Sequence, residues 1–166
     1  MSEAIKGESA SGLSQSYASS SGGSSNFKRS VAYKFKIGQV VGGNQVFDAD
    51  KLNYIEINNR RVQRVNIIAN VIDKYLQEGE KNYGTATLDD ASGQIKIKVF
   101  GEELGKIKEL NQGDTVLVIG MLRSWNNEVY VTPEIIKKKD SKYLFVRKLE
   151  TDRICQRKWI GTRLHY

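Results

Sequence analysis

The sequence predicts an all-β fold, a small closed barrel of five strands. Three observations predict it: short β-branched segments in which polar and apolar residues alternate, dense turn signals between these segments, and one short helical segment between the third and fourth strands. No helical crossover of the length that joins parallel strands is apparent, so a parallel α/β sheet is not expected. Closure into a barrel would remove the exposed edges of a five-stranded sheet.

The first expected elements are a strand before the barrel and the first two strands of the barrel itself. A short strand at Tyr54–Ile57 ends in an Asn58–Asn59 turn, and a long first barrel strand follows over residues 65–71, in which Ile68 is an exception to the alternation. The second strand, Tyr83–Leu88, alternates polar and apolar residues and ends in the turn signal Asp89–Gly93. These segments predict a strand, a turn and the first two strands of the barrel.

The remaining elements begin with a third strand at Gln94–Phe100, a short helix at 101–110 that Gly105 weakens, and a fourth strand at Thr115–Leu122. A loop at Ser124–Glu128 and a fifth strand at Val129–Thr132, which ends before Pro133, complete the set. Five strands with a helix between the third and fourth describe the OB type of barrel, whose second and third strands and adjoining loops bind oligonucleotides or oligosaccharides.

The composition divides the chain into three parts. Residues 1–30 contain eleven Ser and four Gly and are expected to form a disordered arm, since such a segment cannot offset the entropy of ordering its backbone. The alternative for this arm, a substrate for serine phosphorylation, has no specific kinase context in its favour. Residues 31–138 are expected to form the OB domain, and residues 139–166 a basic C-terminal helix and tail.

The net charge of +7 suggests a nucleic-acid partner, but its position matters more than its sum. Residues 137–166 carry ten basic and three acidic groups, whereas residues 31–136 carry 13 basic and 14 acidic groups. A barrel so close to neutral would have to bind a polyanion through a local stripe of charge, and modest binding is expected.

Several classes of function are not expected. The longest apolar run, Val116–Leu122, is far shorter than the ~20 residues of a membrane span, and the N-terminus does not resemble a secretory signal. One cysteine, Cys155, and one histidine, His165, cannot supply a multi-cysteine zinc site or a two-histidine metal site. We therefore expect an intracellular protein without catalytic activity, cofactor, metal, membrane or small-molecule substrate.

The third strand supplies the first candidate contacts. If Ile95, Ile97 and Val99 fill the barrel, then Lys96, Lys98 and Phe100 share the outer face, because successive side chains of a strand point to opposite faces. Lysines and an exposed ring suit single-stranded nucleic acid, in which phosphates meet the lysines and a base stacks on the ring. On the preceding strand, Tyr83 and Thr85 have the outward parity. The alternative is that Phe100 folds under the helix as part of the core.

A second candidate group lies in the loop between the last two strands. Trp125 stands in this polar loop between Arg123 and Asn126, and in an OB barrel this loop borders the second and third strands. Trp125 and Phe100 could therefore stack successive bases, with the basic side chains along the phosphates. The alternative is that Trp125 caps the end of the barrel.

Four segments resemble the middle (32 kDa-type) subunit of replication protein A, a family of single-stranded DNA-binding proteins of archaea and eukaryotes. These are Val62–Ile68, Leu88–Ile95, Gly120–Trp125 and Tyr143–Glu150, within a match of roughly residues 35–150. The resemblance implies an OB fold, single-stranded DNA binding through aromatic residues at the positions of Phe100 and Trp125, and a Ser/Gly-rich arm before the barrel.

The resemblance also implies partners and a location. The helix after the barrel would assemble with a larger and a smaller OB-fold subunit of a heterotrimer-like complex, through the positions Tyr143, Phe145, Val146, Leu149 and Trp159. Such a complex acts in DNA replication, repair or telomere maintenance, in the nucleus of a eukaryote or the nucleoid of an archaeon. Two alternatives stay open: an RNA-binding OB module, and a structural subunit that binds little nucleic acid itself.

Overall fold

The computed structural model describes residues 29–79 and 82–161, and side chains as far as residue 153. Its strands are β1 Ala32–Lys34, β2 Asn44–Asp48, β3 Lys51–Ile57, β4 Arg60–Val62, β5 Arg64–Gln77, β6 Tyr83–Asp89, β7 Gln94–Phe100, β8 Thr115–Trp125 and β9 Glu128–Lys139. Its helices are α1 Ile37–Val41, α2 Gly105–Lys108 and α3 Lys142–Gly161, with a 3-10 turn at Gly101–Leu104 before α2. Nearly all of the expected arm, residues 1–28, lies outside the described residues.

Five strands close the barrel. The pairs β5–β6, β6–β7, β8–β9 and β5–β8 are antiparallel, while β7 and β9 are parallel, which gives the closed order β5-β6-β7-β9-β8. The 3-10 turn and α2 lie between the third and fourth of these strands, and α3 follows the fifth. The predicted five-stranded OB barrel with a C-terminal helix is confirmed.

The core forms as the alternation predicts. Leu88, Ile95, Ile97 and Val99 are almost completely buried inside the barrel. The 3-10 turn and α2 place Leu104 and Ile107 across β6, where a Cβ on Gly84 would lie 2.6 Å from a methyl group of each. Gly84 therefore gives the helix room to close one end of the core.

Three boundaries differ from the sequence-based expectation. The first barrel strand continues through residues 72–77, because a bulge between Val71 and Asp73 shifts the register and lets pairing with β6 resume. The fifth strand continues past Pro133, beside an irregularity opposite Ile119 and Gly120, where a proline is tolerated. The expected loop at 124–128 is instead a tight turn at Asn126 and Asn127, whose φ angles of 49° and 64° suit a two-residue hairpin.

A second, three-stranded sheet lies before the barrel, and only its β3 was expected. Its strands are β2, β3 and β4, of which β3 places Ile55 and Ile57 in the common core and β4 places Val62 there. The helix α1 was not expected either, and its Ile37 and Val40 are fully buried. These segments extend one core beyond the five barrel strands.

Helix α1 is fixed to the turn between β6 and β7. The amide of Ile37 donates to Asp90 Oδ2 at 2.9 Å, and the amide of Gly38 donates to Ser92 Oγ at 2.9 Å. A Cβ on Gly38 would lie 2.4 Å from the backbone oxygen of Ser92, so this close approach requires glycine. The Asp89–Gly93 segment is therefore both a turn and a docking point for α1.

Helix α3 lies on the outer face of β5 and contacts it mainly through polar groups. Arg147 is 7% exposed; it donates to the backbone oxygen of Asn66 and, at 2.8 Å, to the Asn66 side-chain oxygen. Lys34 pairs with Glu150 at 2.8 Å, and Lys36 pairs with Asp152. None of the described helices has the length and apolar character needed to cross a bilayer.

Several apolar side chains of α3 are exposed, and Phe145 lines an open groove between α3 and the outer face of β5. Tyr143, Phe145, Val146 and Leu149 are 39%, 73%, 47% and 62% exposed. The backbone of Trp159 belongs to α3, while its side chain lies outside the described residues. The expected assembly positions within the described side chains are thus accessible on one helix.

Candidate nucleic-acid interface

The outer face of β5, β6 and β7 forms ordered rows of side chains because the three strands pair without interruption here. Tyr75 lies opposite Thr85, and Thr85 lies opposite Lys98. In the next row, Tyr83 lies opposite Phe100. We call this surface, together with the outward residues of β9 beside it, the open face.

Phe100 and Tyr83 form an aromatic pair at one end of the open face. Their ring centroids are 5.2 Å apart with the planes tilted by 40°, and Phe100 remains 55% exposed. Directly after Phe100 the chain turns away at Gly101, whose φ is +59° and whose amide donates to the Asn82 backbone oxygen at 2.9 Å. Phe100 therefore does not fold under the helix, and its ring stays available to a flat ligand.

Lys96 and Lys98 lie on the open face, as the alternation predicts, but both contact a carboxylate. Lys96 Nζ is 2.7 Å from Glu128 Oε1, and Lys98 Nζ is 3.9 Å from Glu128 Oε2. The hydrogen bond from Lys96 lowers the pKa of Glu128, and the same bond raises the pKa of Lys96. Glu128 is a member of this site that sequence reasoning missed, although it directly follows the Asn126–Asn127 turn.

Lys98 is further held by an aromatic ring. Its Nζ lies 4.4 Å from the centroid of the Tyr130 ring, and only 13% of its side chain is exposed. Tyr130 belongs to β9, which runs parallel to β7 at this point and pairs with it through Lys96. The β7–β9 pairing therefore fixes the position of the second ammonium group.

Trp125 lies at the tip of the β8–β9 hairpin and is 67% exposed. Its strand partner across the turn is Glu128, so the same two-residue turn that presents the indole also sets the carboxylate between the lysines. Arg123, two residues earlier on β8, is exposed and lies opposite Tyr130. Trp125 does not cap the barrel.

An open depression of about 500 Å³ adjoins the hairpin. The hairpin contributes Asn126 and Glu128, the third barrel strand contributes Lys96, and the α1–β2 segment contributes Val41 and Gln45. Gln45 also accepts a hydrogen bond from Ser124 Oγ at 3.1 Å, which joins the second sheet to the hairpin. The hairpin and the open face are therefore connected by a surface on which both polar and apolar groups lie.

Tyr75 is the second residue that sequence reasoning missed. It is 53% exposed and lies opposite Thr85, on the same face as Phe100 and Tyr83. It was missed because the first barrel strand was expected to end at residue 71. The residues after the bulge, Asp73–Gln77, do not alternate between polar and apolar, so their pattern gave no signal of a continuing strand.

The structure thus brings Lys96, Lys98, Phe100, Tyr83 and Thr85 together on one face, with Arg123, Trp125 and Asn126 on the adjoining hairpin. Among the described residues there is no group of three or more His, Cys, Asp or Glu side chains placed to hold a metal ion. The chemistry available on this surface is ring stacking, ion pairing and hydrogen bonding by amides and hydroxyls.

Comparison with known sequences identifies a family over half of the chain. Residues 61–146 match the model of the OB-fold nucleic acid binding domain. An uncharacterized protein of Methanocaldococcus jannaschii is 33% identical over 122 residues, which is 74% of this chain and 47% of that protein. The chain therefore spans about half the length of this relative.

Comparison with solved structures finds the same fold in proteins of low sequence identity. The Schizosaccharomyces pombe Stn1–Ten1 complex contains a chain with a TM-score of 0.66 and 16% identity, covering 82% of this chain and 100% of that one. A replication protein A heterotrimer bound to single-stranded DNA gives a TM-score of 0.63 at 16% identity, covering 77% and 98%. Yeast replication protein A bound to single-stranded DNA gives 0.58 at 18% identity, covering 74% and 88%.

Proposed function

The chain belongs to the OB-fold nucleic acid binding domain family, and we propose that it is the single-stranded DNA-binding subunit of a replication protein A-like complex. Within the chain, we assign DNA binding to residues 31–138 and subunit assembly to residues 139–166. It would act in DNA maintenance, in replication, in repair or at telomeres. It would be located with the DNA, in the nucleus of a eukaryote or the nucleoid of an archaeon.

The observation that carries this proposal is the exposure of Phe100 and Trp125 on one connected surface. Burying a large aromatic ring away from water is favourable, yet the side chains of Phe100 and Trp125 are 55% and 67% exposed. Bases stack on such rings with a gain of about 1–3 kcal/mol each, and stacking is indifferent to sequence because every base has a flat face. Duplex DNA keeps its bases stacked on each other, so exposed rings favour a single strand.

Electrostatics on this surface support binding of moderate strength. Arg123 is exposed, but Lys96 and Lys98 share the carboxylate of Glu128. Phosphate contacts would therefore be few, and the affinity should depend on stacking more than on charge. This agrees with the near-neutral charge of residues 31–136.

Assembly with other OB-fold subunits is supported by two observations. The solved relatives of this fold include chains of a replication protein A heterotrimer and of a Stn1–Ten1 complex. In this chain, Phe145, Val146 and Leu149 of α3 are exposed while the helix contacts its own barrel through polar groups. We propose that a larger and a smaller OB-fold subunit cover this helix.

The test is a titration of fluorescently labelled oligo-dT, followed by anisotropy. Trp125→Ala and Phe100→Ala should each weaken binding by about 1–3 kcal/mol, the value of one stacked base. Phe145→Ala removes an equally accessible ring from α3 and should leave the affinity unchanged. If both interface variants bind as tightly as the original chain, the proposed site is wrong.

Competition with oligo-rU of equal length decides between DNA and RNA. The proposed contacts are ring stacking and ion pairs with phosphate, neither of which needs a 2′-hydroxyl, so dT should compete at least as well as rU. Stronger competition by rU would identify an RNA-binding module. Absence of binding to either oligomer would favour a structural subunit.

A further inference from the structure

Glu128 lies at the centre of the proposed interface, where a carboxylate opposes the binding of phosphate. Its Oε1 is 2.7 Å from Lys96 Nζ and its Oε2 is 3.9 Å from Lys98 Nζ. The first distance is that of a hydrogen-bonded ion pair and the second lies at the outer limit of one, so this one side chain is placed between the two ammonium groups of β7, closer to Lys96. A phosphate that approaches either lysine is repelled by the negative charge of Glu128.

The hairpin fixes this arrangement. Glu128 follows the Asn126–Asn127 turn directly and pairs with Trp125 across it. Lys98 is held against the Tyr130 ring at 4.4 Å, and therefore cannot easily move away from the carboxylate. The stacking ring and the carboxylate are thus placed by the same short turn.

The ion pair is open to solvent and can be exchanged. The side chains of Lys96 and Glu128 are 44% and 48% exposed, and exposed pairs of this kind are weak. A phosphate can therefore replace the carboxylate on Lys96 at small cost. The displaced carboxylate then remains beside the bound strand, where its negative charge opposes the phosphates.

From this geometry we infer that Glu128 is an affinity-limiting residue, an internal anion that occupies Lys96 and Lys98 in the free protein and competes with nucleic-acid phosphate for them. This inference rests on the proposed function. It adds that this hairpin limits the affinity of the chain for single strands, so that a bound strand dissociates or is transferred readily.

The experiment measures oligo-dT affinity for Glu128→Gln, which keeps the shape of the side chain and removes its charge. The variant should bind about two- to fivefold more tightly, the equivalent of one exposed ion pair no longer broken on binding. Its dependence on salt should be steeper, by up to about 0.7 in the slope of log affinity against log salt concentration, because phosphate would then no longer exchange with a carboxylate.

Two matched variants separate this effect from a general change of charge. Glu109→Gln makes the same change in net charge at an exposed position at the end of α2, and should leave the affinity within a factor of about 1.5. In a Lys96→Gln background, Glu128→Gln should have a smaller effect, because the principal ion pair is already absent. Glu128→Ala provides a second removal of the carboxylate if the glutamine variant folds poorly.

The outcomes are distinct from those of the proposed function. If the original chain binds oligo-dT and loses affinity on Trp125→Ala, but Glu128→Gln binds equally or less tightly, the competition by Glu128 is wrong while the interface stands. A loss of affinity in Glu128→Gln would indicate that the carboxylate contacts a base. If neither the original chain nor Glu128→Gln binds oligo-dT or oligo-rU, both inferences fail together.

Discussion

One long strand, β5, has two halves whose outer faces meet different surroundings. In the first half, Ile68 is 7% exposed because α3 covers this part of the sheet. In the second half, Tyr75 is 53% exposed and forms part of the open face. Both residues are large and apolar in character and both point outward, so the residue type does not decide which is buried.

The difference arises from what docks on each half. Asn66, in the first half, accepts two hydrogen bonds from Arg147 of α3, and Glu150 and Asp152 of the same helix pair with lysines near β1. The second half pairs with β6, which pairs in turn with β7, and its outer face has no described helix over it. One continuous strand can therefore support a helix at one end and offer a binding surface at the other.

The largest effect, on the free energy of unfolding, is expected from removing Arg147, which holds α3 over the first half of β5. Arg147→Ala should lower the free energy of unfolding by about 2–3 kcal/mol, because hydrogen bonds that involve a charged group are worth roughly 1.5–3 kcal/mol and the Asn66 acceptors would lose their partner. Urea unfolding measures this. Lys148→Ala, at the neighbouring exposed position, should change stability by less than about 0.5 kcal/mol, and equal midpoints for the two variants would contradict the role of Arg147.

In the second half of β5, removing an exposed ring should weaken DNA binding and leave the free energy of unfolding nearly unchanged. Tyr75→Ala should weaken oligo-dT binding by about 1 kcal/mol, the lower end of the range for a stacked base, while its free energy of unfolding changes little because the ring is largely exposed. Tyr75→Phe keeps the ring and should bind like the original chain. If Tyr75→Ala binds normally, the open face does not extend to β5.

The smallest effect is expected from the ion pairs of Glu150, which accepts hydrogen bonds from Lys34 Nζ at 2.8 Å and from Arg147 Nε at 3.1 Å. The hydrogen bond from Lys34, and to a smaller extent the charge of Arg147, lowers the pKa of Glu150 below its usual value. A carboxyl group whose pKa is lowered by folding stabilises the folded state above its unfolded pKa, and this contribution is lost as the pH falls through the folded pKa. Glu150→Gln should therefore cost about 0.2–1 kcal/mol at pH 7.

Urea unfolding at several pH values between about 3 and 7 checks the sign. The stability difference between Glu150→Gln and the original chain should shrink as the pH falls below the usual range for a glutamate. A difference that grows on acidification would contradict the assignment. Glu109→Gln, at an exposed position at the end of α2, makes the same change in net charge and serves as the control.

The fold was largely predictable because it depends on alternation. The positions of Ile95, Ile97 and Val99 in the core, and of Lys96, Lys98 and Phe100 outside it, follow from the period of two in β7. The same reasoning failed where a bulge changes the register, at residues 71–73 and near Pro133. A single inserted residue reverses the inside and outside positions, and short windows of sequence do not reveal it.

The candidate site was predictable in part, for a related reason. Phe100 could be chosen from the period of two along β7, and Trp125 from its position in a polar turn. Glu128 and Tyr75 could not, because their importance comes from strands that are distant in the chain: Glu128 meets Lys96 over 32 residues, and Tyr75 meets Thr85 only through the register of β5 with β6.

The sequence by itself determined the closed five-stranded barrel, its short helix and the outward row on β7, because these depend on periodicity within single segments. Only the tertiary structure decided that Glu128 stands between Lys96 and Lys98, and that α3 covers one half of β5 and leaves the other open. Such contacts depend on strand register and on the docking of a helix by a few polar groups, and these are properties of the assembled chain that no single segment carries.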